Sequence, residues 1–138
     1  MNNPITVQTV VHVDLSTAWE YFTNPKHIVN WNYASDDWEC TAARNDLVEG
    51  GKFVFVMGAK DKSTSFEFGG TYTKIEAGKV IESILDDGRR LVVSFEEIDG
   101  STRVTEVFEP ESENSEEMQR SGWQAILDNF RKYAESDS

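Results

Sequence analysis

The 138 residues, 38% apolar and 12% aromatic, suit one folded domain spanning 1–138 that buries roughly two thirds of its unfolded surface, and exclude a disordered chain. Against 13 basic residues stand 25 acidic ones, a formal charge of −12 with no basic cluster, so neither nucleic acid nor membrane is an expected partner. The apolar run 53–59 is too short to cross a bilayer, residues 1–13 lack a secretory leader pattern, and the lone Cys40 has no intramolecular partner, so a reducing, cytoplasmic setting is expected.

Ile5, Val7, Thr9, Val11 and Val13 alternate with polar neighbours, which predicts a strand over 5–13. Asp14 or Ser16 then caps a helix with Ala18, Trp19 and Phe22 on its apolar side. Asn24-Pro25 ends that helix and starts a short one, reaching about residue 30, with proline where its missing N–H costs nothing. Residues 31–40 follow neither period and read as a loop leading into a strand over 38–44. Asn45-Asp46 and Gly50-Gly51 are turn chemistry, followed by the alternation of Phe53, Phe55 and Met57. After a turn over 58–62, Phe66, Phe68, Gly70 and Tyr72 share one side of a strand ending near Ile75. Gly78 introduces a strand over 80–85, and Asp86-Asp87-Gly88 is a hairpin turn before Leu91, Val93 and Phe95. A second hairpin at Asp99-Gly100 leads to Thr102, Val104, Glu106 and Phe108. Such short connections predict an antiparallel meander.

Pro110 stops the last strand, and Glu109, Glu111, Glu113, Glu116 and Glu117 form an acidic loop and first helical turn. Ser115 is the expected cap of a long helix reaching 135, with Trp123, Ile126, Leu127, Phe130 and Ala134 on one face. Burying that face contributes on the order of 10 kcal/mol before entropy. The resulting order is α+β: a curved antiparallel sheet (β-α-α-β6-α) wrapped around a C-terminal helix, with a hollow expected between them.

Residues spread over nearly the whole chain carry a resemblance to a known family. They are Thr17-Ala18-Trp19, Thr23-Asn24-Pro25, Trp31, Asp46-Leu47 and Gly50-Gly51-Lys52-Phe53. Gly70-Thr71-Tyr72, Thr102-Arg103-Val104-Thr105, and Gly122-Trp123 with Leu127 complete the set. In order and spacing they resemble homologues of the C-terminal domain of the heat-shock-protein-90 ATPase activator. That is a branch of the START and birch-pollen-allergen helix-grip superfamily, and the segments WNYASDDWEC and EEMQRSGWQAILDNF resemble a bacterial single-domain subgroup. The resemblance implies a helix-grip fold with a cavity and little fixed chemistry. Relatives carry lipids or hormones, cyclise polyketides, or stimulate an ATPase.

Glu106 is the most pointed candidate for function. It shares strand parity with Thr102, Val104 and Phe108, the more apolar face, and so is expected to enter the cavity, where it would bind an amine or hydroxyl or act as a general base. A structural hydrogen bond is the alternative. Trp31, Tyr33, Trp38, Phe55, Phe68, Tyr72, Phe95 and Trp123 fall on the expected inner face or beside it and form the candidate ligand-binding set, or simply core. Gly70 and Gly122 leave room for a ligand or let the helix pack closely.

Asp36-Asp37 with His27 matches no metal-ligand spacing, so capping or loop hydrogen bonding is the expectation, with no metal and no cofactor. Cys40 reads as a buried inert thiol and His12 as exposed. No nucleophile elbow or phosphate-cradling loop is present. The expected function is binding of a small hydrophobic or aromatic molecule by a monomer or weak homodimer. One alternative is an enzyme of cyclase, dehydratase or hydrolase type using Glu106. The other is a chaperone-associated interaction module contacting its partner through the acidic stretch 109–117.

Overall fold

The computed structural model describes residues 1–136; the last two positions of the expected 1–138 span lie outside the described residues. Buried Ile5, Val7 and Val11 alternate with exposed Thr6, Gln8 and Val10 in the first strand, β1 (Ile5–Val11). It stops two residues before the alternation does, because the chain leaves the ladder there. Val13 stays buried beyond the strand, and its carbonyl accepts the Thr102 hydroxyl at 3.0 Å.

Asp14 caps α1 (Leu15–Thr23), accepting the Thr17 amide at 2.8 Å; hydrogen bonds from Thr17 hold the carboxyl below its usual range. Asn24 caps α2 (Pro25–Ile28) through the Lys26 amide, and proline opens the helix as expected. This second helix is a single turn, ending at Ile28 and not near residue 30.

The remaining strands are β2 (Trp38–Asn45), β3 (Lys52–Ala59), β4 (Ser65–Glu76), β5 (Val80–Leu85), β6 (Arg90–Ile98) and β7 (Ser101–Phe108). All seven form one curled antiparallel sheet in the order β1-β7-β6-β5-β4-β3-β2. The first strand therefore pairs with the last, bringing Val7 opposite Glu106. Tight turns set the register. At Asp99-Gly100 both residues take positive φ (50° and 84°), as a two-residue hairpin of matching twist needs. A register shift between Tyr72 and Lys74 lets both Tyr72 and Ile75 pack on the core despite their odd spacing.

The long helix α3 (Glu116–Ser136) is capped by the Ser115 hydroxyl, which accepts the Met118 amide at 3.1 Å. It buries Leu127, Phe130 and Ala134 in the same core as Val11, Ala18, Ile28 and Trp31. Its flank covers the β1 edge with polar side chains. Arg120 donates to the Thr6 carbonyl (3.3 Å), Gln124 donates to the Gln8 carbonyl (3.1 Å), and Glu135 accepts the His12 amide (3.0 Å). Backbone groups that would otherwise template another strand are thereby engaged. The arrangement is the helix-grip order expected from the sequence. Among the described residues no helix is long and apolar enough to cross a membrane.

Candidate functional site

Between the sheet and the first half of α3 lies a cavity of about 300 Å³. Strand alternation builds most of its wall. Phe53, Phe55 and Met57 come from β3, Phe68 and Tyr72 from β4, and Ile81, Leu91 and Val93 from β5 and β6. Trp31 and Phe22 close one end, while Trp123 and Ile126 of α3 form the roof. Trp123 is fixed by a parallel stack on Phe108, with centroids 3.9 Å apart, and an edge contact with Phe68 at 5.7 Å. Phe53 lies against Phe55, Phe68 and Tyr72, with centroids 5.1–6.0 Å apart. The neighbouring strand explains Gly70: a Cβ there would come within 2.6 Å of the Ile84 carbonyl oxygen, and within 3.0 Å of the Phe53 ring as well. Gly70 is thus a close-packing position. At Gly122 an added Cβ would meet no atom within 4 Å.

Few polar groups face this apolar space. Tyr72 donates its hydroxyl to Asn45, whose amide donates in turn to the Thr23 carbonyl at 2.7 Å; burial pushes the phenol above its ordinary pKa. Gln119 is fully used: it donates to the carbonyls of Glu111 and Asn114 and accepts the Glu111 amide, pinning the loop 109–115 to α3. The Arg89 guanidinium donates to Asp87 at 2.7 Å and to the Glu109 carbonyl at 3.0 Å. Asn32, Ser83 and Glu106 differ from these. Each is buried as a residue and lines the cavity, and none makes a side-chain hydrogen bond among the described residues; since no enclosed side-chain N or O there is left unpaired, their polar atoms open onto the cavity.

Glu106 stands in a cross-sheet row with Val7, Val93 and Ile81, none of which offers a side-chain donor. It is 8% exposed, and burial pushes its pKa up to about 8. The alternative of a structural hydrogen bond to a tyrosine, tryptophan or loop amide finds no counterpart among the described residues. At neutral pH the carboxyl is therefore largely protonated, able to donate or accept.

The candidate rings divide by location. Trp31, Phe55, Phe68, Tyr72 and Trp123 line the cavity together with Glu106. Tyr33, Trp38 and Phe95 do not. Phe95 has the expected inward parity but sits further along the sheet, packed on Trp19 and Phe22 at 5.0 and 5.4 Å. Trp38, on the outermost strand β2, meets half-exposed Phe66 at 5.7 Å. Tyr33 lies past α2, where its carbonyl accepts the Asn129 amide at 2.6 Å. The Trp31 indole N–H is already committed to the Tyr21 carbonyl, so this ring offers the cavity a face and no donor. Phe53 shares the parity of Phe55 and was legible as a lining residue. Ser83 shares the parity of Ile81 and Leu85 on β5 and was legible in the same way, whereas Asn32 and Arg89 were not, since loop and turn positions carry no facing signal.

The other clusters are accounted for locally. His27 hydrogen-bonds the Tyr133 hydroxyl at 2.6 Å, and Ser35 donates to Asp37. No group of three or more His, Cys, Asp or Glu among the described residues converges as a metal site would require. Cys40 is buried and donates to the Ala42 carbonyl, and burial raises its thiol pKa. In the acidic stretch, Glu109 accepts the amides of Asn2 and Arg90, Glu111 accepts the Asn114 amide, and Glu116 accepts from Asn3.

Over residues 12–135 the chain matches the family model described as Activator of Hsp90 ATPase homolog 1-like protein. The AHSA1-like protein of Aeromonas hydrophila, solved by solution NMR, is 39% identical with a TM-score of 0.88, covering 96% of this chain and 94% of its own. A second solution structure, of a protein from Cytophaga hutchinsonii, is 42% identical with a TM-score of 0.83, covering 99% and 94%. A crystal structure from Nitrosomonas europaea, 17% identical with a TM-score of 0.84 and covering 98% and 96%, shares the fold. No curated protein matches the chain.

Proposed function

The chain belongs to the Activator of Hsp90 ATPase homolog 1-like family, and on that premise we propose that it binds a small hydrophobic or aromatic molecule between the sheet and α3. One observation carries this reading: the cavity of about 300 Å³ is walled by aromatic and aliphatic side chains, and Asn32, Ser83 and Glu106 line it without making a side-chain hydrogen bond among the described residues. Its volume lies at the lower end of the range for small-molecule sites, and a few polar groups in an apolar pocket are what orient a ligand. The lone Cys40, with no disulfide partner, supports a cytoplasmic setting, and we propose a monomer or weak homodimer as the working form.

Native mass spectrometry of freshly purified protein tests the proposal directly, combined with a tryptophan-fluorescence titration with naphthalene. A co-purified small molecule, or saturable quenching as Trp31 and Trp123 meet the probe, is the expected result. Neither signal up to the solubility limit of naphthalene would remove the reading.

The same carboxyl favours a second reading, an enzyme of cyclase, dehydratase or hydrolase type with Glu106 as acid or base. A group poised near neutrality suits proton transfer. Once a substrate is known, unchanged turnover in Glu106→Gln would exclude it. A chaperone-associated interaction role has less behind it, because Glu109, Glu111 and Glu116 are engaged in intramolecular hydrogen bonds.

A further inference from the structure

Resting on the cavity reading above, we propose that the occupant is a hydrophobic ammonium compound, an aromatic or arylalkyl amine. Its N–H groups donate to Glu106 while its apolar body lies among Trp31, Phe53, Phe55, Phe68 and Trp123. Three independent features point to this class.

The first is the isolation of the carboxyl. Its cross-sheet neighbours on β1 and β6 are valines, and the charged or titratable groups facing the cavity from other elements are occupied elsewhere. Arg89, on the β5–β6 turn, is bound to Asp87 and to the Glu109 carbonyl. Glu111, on the loop before α3, accepts from Asn114, and Tyr72 on β4 donates to Asn45. From α3 come Gln119, Trp123 and Ile126, with no charge among them. A purely apolar ligand would seal Glu106 away from water with no partner. An ammonium group satisfies it with a charge-assisted bond.

The second feature is the wall. Aromatic faces attract a cation through their quadrupole, more strongly where water is excluded. The third is the whole-chain charge of −12, which raises the local concentration of cations and lowers that of anions.

A proton balance follows. Burial holds Glu106 mostly protonated at neutral pH, whereas an ammonium ligand needs the carboxylate, so binding displaces the proton to solvent. Affinity for the cation then rises with pH by up to about tenfold per unit until the pKa of about 8, and levels off above it.

Three probes of nearly equal shape separate the possibilities: 1-naphthylmethylamine, 1-naphthylmethanol and 1-methylnaphthalene, titrated into the full chain by calorimetry and tryptophan fluorescence. At pH 8 the amine is expected to bind about tenfold tighter than the other two. In Glu106→Gln the amine should fall to the level of the alcohol while 1-methylnaphthalene binds as before. Between pH 6 and 8 the amine's affinity for the unmutated chain should climb, and that of 1-methylnaphthalene stay flat. This pH series needs no variant and decides the matter even if Glu106→Gln does not fold. Equal binding of all three, a pH-independent amine affinity, or an amine preference that survives Glu106→Gln would overturn the amine assignment and leave the cavity reading standing. If none of the three binds, the cavity reading fails as well.

Discussion

The two halves of α3 carry one continuous apolar stripe but meet different surroundings. Toward the C-terminus, Leu127, Phe130 and Ala134 are each at most 1% exposed. Phe130 is wedged between Phe22 and Trp31, with ring centroids 5.3 and 5.1 Å away, so α1 and the segment after α2 fill the space under the helix. Toward the N-terminus no helix intervenes. Trp123 and Ile126 look across the cavity at β3 and β4, and only the Gln119-pinned loop 109–115 closes the end. The periodicity of an amphipathic helix states which side is covered; it does not say whether a packed layer or a void lies beneath. Filling depends on what the rest of the chain inserts, and here the two short helices fill only one end.

Substitutions that treat the two ends alike should give unlike results. The largest loss is expected at the solid end. Phe130→Ala should destabilise by about 3–5 kcal/mol, read from urea unfolding, because a fully enclosed ring leaves a void its neighbours cannot close. A loss below about 1 kcal/mol would mean that this end is not tightly packed.

Next is Glu106→Gln, whose effect runs in the opposite direction. An acid raised from 4.5 to about 8 by folding opposes folding once the unfolded chain ionises. No penalty exists below about pH 4.5; it grows by about 1.4 kcal/mol per unit above that and levels off past pH 8. The variant should therefore match the unmutated chain at pH 4 and exceed it by on the order of 3 kcal/mol at pH 7. Parallel stability–pH curves for the two would show that the carboxyl is not desolvated.

Trp123→Ala should cost only about 1–2 kcal/mol, mainly the lost stack on Phe108, since one side of this ring already faces the void. A loss equal to that at Phe130 would erase the contrast between the halves. The smallest effect is expected for Gly122→Ala. A helical glycine with open space around it should gain about 0.5–1 kcal/mol on acquiring a methyl group, visible as a higher melting temperature. Destabilisation would show that the space is needed for packing.

Much of this molecule is legible before any coordinates. Period-two alternation identifies the strands, and Asp14, Asn24-Pro25 and Ser115 mark helix starts through capping chemistry. Parity alone turns Glu106 inward. Parity fails where position along the strand matters: Phe95 and Val93 face the same way, yet one packs among Trp19 and Phe22 and the other borders the cavity. It also fails at Trp38, whose strand lies at the sheet edge, and at Tyr33, whose backbone carbonyl is its link to α3.

The sequence by itself determined the element order, the antiparallel sheet and the covered faces, because those follow from local backbone preferences and the spacing of apolar residues. Only the tertiary structure decided which end of α3 is hollow, that Gly70 gives way to the Ile84 carbonyl and the Phe53 ring while Gly122 has open space beside it, and that Glu106 makes no side-chain hydrogen bond among the described residues. Those outcomes depend on distances between residues far apart in the chain, and on the curl of the sheet that sets them.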